Sequence, residues 1–229
     1  MDENKQAFFS SLKVPFLFIV LIWGVHFFQV VTNMDFGVYG VFPREGFGLR
    51  GILFAPLIHD DLRHLISNSA PIFMLSVIIS YFYRRVAIRS MLMIYLLTGL
   101  AVWLFARSVF HIGASGVVYG LVSFVFWMGV FRRSLKSIIL ALIVTFLYSG
   151  YFLGILPNQP GISWESHLLG ALAGVFTAYW YKEEIEADEE KQVPFAQEDD
   201  QAESFFLDRD IFEKTKAERE QERNERLDG

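Results

Sequence analysis

The 229-residue chain has no cysteine. It can form no disulfide and offers no thiolate to a metal ion. Its first six residues, MDENKQ, are polar and acidic rather than basic, and no small-residue cleavage site follows the first apolar stretch, so a removable secretory signal is not expected. A continuous basic stripe is missing as well. Residues 1–182 carry 13 Lys+Arg against 7 Asp+Glu, a net of +6, but the basic residues fall in short clusters between long uncharged runs, so no nucleic-acid partner is expected. The acid lies elsewhere: residues 183–229 carry 7 basic against 18 acidic residues, a net of −11, and the two parts together give the overall −5.

Apolar side chains, by contrast, make up 53% of the chain, and they gather in uncharged stretches: Val14 to Met34, His64 to Tyr83, Ser90 to Ala106, Ser108 to Phe131, Ser137 to Trp164 and Ser166 to Tyr181. Each is close to the roughly 17 to 25 residues that cross a bilayer as helix. A soluble helical protein with six such runs would lack the polar surface to cover them. The expected fold class is therefore an all-α membrane protein, a bundle of six transmembrane helices over residues 14–182. A short cytoplasmic segment (1–13) precedes it and a charged cytoplasmic tail (183–229) follows.

Orientation follows from the short loops. Arg84, Arg85 and Arg89 separate segments 2 and 3; Arg132, Arg133 and Lys136 separate segments 4 and 5; Lys5 and Lys13 precede segment 1. The other side has Arg44, Arg50 and Arg63 spread over a long first loop, Arg107 after segment 3, and no basic residue in the final loop, PNQPGISWES. The positive-inside rule then puts both termini in the cytoplasm of a multi-pass protein, with a bacterial cell (inner) membrane the expected location. Segments 2, 4 and 6 all run inward, and their outer ends hold His64, Ser115 and His167.

The depths of two of these groups match. Ser115 precedes Arg132 by about 25 Å of helix and His167 precedes Lys182 by about 22 Å, so in a hydrocarbon core of about 30 Å both lie several ångströms below the outer surface. Small residues suggest which helices touch. Gly116 with Gly120, and Gly170 with Gly174, are small-xxx-small pairs that let backbones approach in lipid. His167, Gly170 and Gly174 share one helical face.

Ionisable groups inside a membrane are costly and read first as functional. A serine hydroxyl beside an imidazole is a nucleophile with its general base. Ser115 opens its helix, so its own N–H and the helix dipole face any oxyanion formed there, and the glycines of HIGASG, Gly113 and Gly116 among them, permit a sharp bend. No carboxylate falls in register as a third member: Glu165 lies two positions from His167, on another face. A dyad is expected. A metal site on His59, His64, His111 and His167 lacks carboxylate or thiolate support at ligand spacing, so neither metal nor cofactor is expected.

Three motifs in order give the chain a resemblance. GASG at 113–116 with Tyr119 four residues after the serine, HLISN at 64–68, and SHLLGALAG at 166–174 resemble the signature of the rhomboid family of intramembrane serine proteases, over about residues 14–182. The resemblance implies that Ser115 attacks the scissile carbonyl and His167 moves the proton. It implies that the Ser115 N–H, His64 and Asn68 hold the oxyanion, that Tyr119 packs on His167, and that transmembrane proteins in the lipid bilayer are the substrates. His64 and Asn68 are four apart on one helical face and both can donate. Two departures are visible: Leu49-Arg50 stands where the family often has Trp-Arg, and Ser166 stands where alanine often precedes the histidine. His59 is expected to be structural.

Two other function classes fit less well. A catalytically inactive relative that binds transmembrane clients as a chaperone or adaptor would typically lack the serine or the histidine. A transporter would cluster its polar groups at the midplane. In the tail, EEIEADEEKQ is expected to be a solvated acidic run, the patch of Phe205, Phe206, Leu207, Ile211 and Phe212 a candidate for membrane or partner docking, and EKTKAEREQERNER a charged helix.

Overall fold

The computed structural model describes residues 3–157 and 163–184, with Thr215, Lys216, Glu218 and Glu220 of the tail. The chain divides into two units, 1–190 and 191–229. In the first, six long helices follow one another: α1 (Glu3–Thr32), α2 (Leu62–Phe82), α3 (Ala87–Phe105), α4 (Ser115–Arg132), α5 (Leu135–Leu147) and α6 (Trp164–Tyr181). Among the described residues there is no strand, only an isolated bridge between Val41 and His111.

Where these helices differ from the apolar runs, local chemistry explains it. The first run starts at Val14, yet α1 starts at Glu3, because no glycine or proline interrupts residues 3–13 and Pro15 is tolerated inside the helix. The fourth run starts at Ser108, but the helix waits until Ser115, since Gly113 takes a left-handed φ of +93° that a regular right-handed helix excludes. The fifth run is uncharged to Trp164, but α5 stops at Leu147 and a 3-10 segment, Ser149–Ile155, turns away by 63°.

Burial runs against hydropathy. Of the four helices that are long and apolar enough to cross a membrane (α1 to α4), α1 is the most apolar and the least buried, while α4 is the least apolar and the most buried. Phe16, Leu17, Phe27 and Phe28 of α1 and Phe146 of α5 are exposed. A soluble protein would turn such side chains inward; their outward display suits lipid as solvent. The bent α5 pair counts as a fifth candidate span. α6 has 18 residues but falls short in apolarity, because Glu165, Ser166 and His167 open it and Tyr179, Trp180 and Tyr181 close it.

α4 is the hub. Val117, Val118, Leu121, Phe124, Val125 and Met128 pack with Ile72, Leu75 and Ile79 of α2, Ile94 of α3, Val144 of α5 and Ala178 of α6. The first loop is fastened to the end of α3: the Arg44 guanidinium donates to the Ala106 carbonyl (2.7 Å) and to Ser108 Oγ (2.8 Å), and Trp103 Nε1 donates to the Glu45 carbonyl (2.9 Å). Arg50 stacks on Tyr39, 4.6 Å from its ring centre, and Leu49 is exposed. At the far end, Arg89 pairs with the Glu184 carboxylate and Arg132 donates to the Glu184 carbonyl.

In the tail unit, Glu218 accepts from the N–H (2.7 Å) and hydroxyl (2.8 Å) of Thr215 and returns its own N–H to Thr215 Oγ1 at 3.4 Å. This is the reciprocal arrangement of a capping box. The acidic run and the Phe205 to Phe212 patch lie outside the described residues.

Candidate active site

Three helices end at one cavity of about 430 Å3, lined by His64, Ser67 and Asn68 of α2, Ser115 and Tyr119 of α4, and His167 of α6, with Asp60, Asp61, His111, Tyr151 and Ser163 around them. The sequence-predicted groups are thus brought together. α2 is started by Asp61, whose carboxylate accepts the His64 N–H at 2.7 Å; that bond holds the Asp61 carboxyl below its ordinary value. α6 is started by Ser163, which accepts the Ser166 N–H at 3.4 Å.

The glycines set the spacing. A Cβ on Gly170 would overlap the Gly116 carbonyl oxygen, and one on Gly174 would overlap that of Gly120. α4 and α6 therefore touch backbone to backbone directly beneath Ser115 and His167. Gly113 is needed twice over, for its positive φ and because a Cβ there would lie 2.5 Å from His64 Nε2.

His167 Nε2 lies 2.9 Å from Ser115 Oγ, and His167 Nδ1 lies 2.8 Å from the Gly154 carbonyl oxygen. A carbonyl only accepts, so the Nδ1 carries the proton. The neutral ring then presents the Nε2 lone pair to the serine hydroxyl. The Tyr119 ring lies flat against the imidazole, with centroids 4.1 Å apart and planes 10° from parallel, and its hydroxyl donates to the Tyr151 carbonyl at 2.8 Å. Orientation of the imidazole is thus fixed on its face and on its far nitrogen. In chemical terms the arrangement can withdraw a proton from the serine as its oxygen attacks.

Glu165 turns away from His167 and pairs with Arg107 at 3.2 Å. The place a carboxylate takes in a triad is held here by the Gly154 carbonyl. Sequence reasoning missed that group because a backbone carbonyl has no residue identity. The only trace is the glycine itself, where a Cβ would overlap the Tyr119 hydroxyl.

Asn68 spends one amide hydrogen on the His64 carbonyl, at 3.1 Å, and keeps the other. His59 is fully buried and meets His64 edge to face at 5.0 Å; burial first, then the neighbouring His64, pushes its imidazole down to about 4. Burial also pushes the His111 imidazole below its ordinary value. Among the described residues no three His, Asp or Glu side chains gather in a way that could hold a metal ion.

A family profile described as the Rhomboid domain matches residues 47–184, a span that holds every group just described. The chain belongs to the rhomboid family. Relatives described as uncharacterized proteins from Mycobacterium tuberculosis (strain ATCC 25618 / H37Rv) and Mycobacterium bovis are each 33% identical over 171 residues, covering 71% of this chain and 71% of the relative. One from Mycobacterium leprae is 33% identical over the same length, covering 68% of its own chain. Rhomboids are in general intramembrane serine proteases, and with its four apolar helices this rhomboid is a multi-pass membrane protein.

Proposed function

We propose that this rhomboid is an active intramembrane serine endopeptidase that cleaves transmembrane proteins near the outer leaflet. The observation that carries this reading is the Ser115–His167 bond of 2.9 Å with the imidazole proton committed to Gly154, since a scaffold that only bound clients would have no use for a correctly protonated base.

Ser115 Oγ attacks the scissile carbonyl carbon while its proton passes to His167 Nε2. The tetrahedral oxyanion is held by the Ser115 N–H, unpaired within its helix because Ser115 is the first helical residue, and by His64 and Asn68. Collapse breaks the C–N bond, the leaving amine takes the proton from His167, and an acyl-enzyme remains. Water then attacks the acyl carbon, giving its proton to His167, and Ser115 is restored. A helical substrate has to unwind locally first, because its hydrogen-bonded backbone shields the carbonyl. In this reading α6 is the sixth span, its polar first turn facing the cavity rather than lipid, and both termini lie in the cytoplasm of a bacterial inner membrane.

The test is reconstitution in liposomes with a transmembrane substrate, comparing wild type with Ser115→Ala and His167→Ala. Both variants should lose cleavage, and a fluorophosphonate probe should label wild type at Ser115 alone. Cleavage at the wild-type rate by Ser115→Ala would overturn the nucleophile assignment, and no cleavage or labelling by wild type would leave the inactive client-binding reading in its place.

A further inference from the structure

A second serine–histidine bond lies one step from the dyad. His111 Nδ1 is 2.6 Å from Ser163 Oγ. His111 precedes Ser115 by four residues and Ser163 precedes His167 by four, so the two bonds join the same pair of chain segments with donor and acceptor types exchanged. Both partners line the cavity.

The protons of this outer pair are as determined as those of the inner one. His111 Nε2 faces the Arg107 carbonyl at 2.9 Å, so the ring proton sits on Nε2 and the Nδ1 lone pair accepts the Ser163 hydroxyl proton. Ser163 Oγ in turn receives the Ser166 N–H at 3.4 Å and lies 2.7 Å from Ser166 Oγ. The backbone of His111 is fixed too: it exchanges two hydrogen bonds of 2.9 Å with Val41 of the first loop. His111 is only 4% exposed. A residue tied at backbone and ring alike is a firm anchor for whatever Ser163 attaches to it.

Beneath the dyad, Gly116 with Gly170 and Gly120 with Gly174 fix how closely α4 and α6 approach. Above it, where α4 has not yet begun, the His111–Ser163 bond joins the same two segments. We infer that the His111–Ser163 pair is a positioning clamp: it sets the spacing of the Ser115 and His167 segments at the loop end, so that the dyad is held from both sides. The inference rests on the proposed protease reading, to which it adds two positioning residues that act through the dyad. Ser166, which stands where the family often has alanine, belongs to the same hydrogen-bonded chain.

The experiment separates the clamp from ordinary helix capping. Glycine serves at a helix N-cap nearly as well as serine, so Ser163→Gly removes the hydroxyl with little loss of fold; Ser163→Thr keeps it. In detergent-solubilised full-length protein, the fluorophosphonate labelling rate at Ser115 should fall on the order of tenfold in Ser163→Gly, in kcat rather than KM for a peptide substrate, and return in Ser163→Thr. His111→Leu should cost as much, and the double variant no more than either single one. Imidazole 15N shifts of His167 should move in Ser163→Gly and recover in Ser163→Thr. Ser163→Gly with wild-type labelling rate and unmoved His167 signals, or losses that multiply in the double variant, would overturn the clamp. An unlabelled wild type would instead sink the protease reading, while the His167 shifts would still decide the clamp.

Discussion

Gly170→Ala is the most exacting perturbation of the site that leaves every chemical group in place. A Cβ at 170 overlaps the Gly116 carbonyl oxygen, and even the closest tolerable carbon–oxygen contact requires that oxygen to retreat by about 1 Å. Neither helix can bend there cheaply, because Gly174 meets Gly120 one turn further on and residues 116–121 of α4 are all buried. The strain is therefore relieved by α6 moving off α4 as a unit. Ser115 Oγ and His167 Nε2, now 2.9 Å apart, then separate by about the same 1 Å, past the limit of a useful hydrogen bond. Overpacking of this kind costs about 1–3 kcal/mol of stability, and a displacement of about 1 Å at a reacting pair costs on the order of 100-fold in rate. The assay is the second-order rate of Ser115 labelling by a fluorophosphonate in detergent, alongside thermal unfolding. Gly24→Ala in α1 is the control: a Cβ there meets nothing within 4 Å, so it should leave labelling unchanged and hold or raise stability by about 0.5 kcal/mol. A Gly170→Ala protein that folds and labels at half the wild-type rate or better would refute the backbone-contact account of the dyad.

Two further outcomes follow from the site. His64→Ala and Asn68→Ala should each lower kcat on the order of 100-fold or more, about 3 kcal/mol, with little change in KM; a change confined to KM would remove them from the oxyanion site. Acid should destabilise the fold through His59, which lies between helices, fully buried, with its imidazole pushed from 6.5 to about 4. Above pH 6.5 neither folded nor unfolded chain binds this proton and the stability is full. Between 6.5 and 4 only the unfolded chain binds it, so unfolding free energy should fall on acidification by up to about 3 kcal/mol and level off below 4. Unfolding of wild type and His59→Phe across that range checks this, and equal slopes for the two would count against it.

How much of this was legible in the sequence depended on what kind of group did the work. Ser115, His167 and His64 could be read as candidates because side-chain chemistry at helical spacing survives in one dimension, whereas Asn68 entered through the family resemblance. Gly170 and Gly174 could be found because close approach of two helices leaves a residue only glycine satisfies. The run lengths gave spans but not ends: Ser137 to Trp164 has no charge to mark where α5 stops, and its unbroken apolar character hides the bend after Leu147. The Gly154 carbonyl, which fixes the His167 tautomer, was invisible for the same reason, since any residue supplies a carbonyl and only the fold aims it.

The same distinction bears on why the proposed dyad would need no carboxylate. A buried aspartate behind His167 would add a full negative charge in a region whose neighbours include lipid, and a charge so placed is costly unless paired and hydrogen-bonded. The Gly154 carbonyl fixes the same tautomer with a dipole in place of a charge, and Tyr119, anchored on the Tyr151 carbonyl, supplies the facial support. Two carbonyls from one 3-10 segment thus orient the base, so the 63° bend that ends α5 is part of the site's geometry. Straightening that segment into continuous helix would withdraw both carbonyls into intrahelical bonds and leave His167 free to turn, even with every side chain of the site intact.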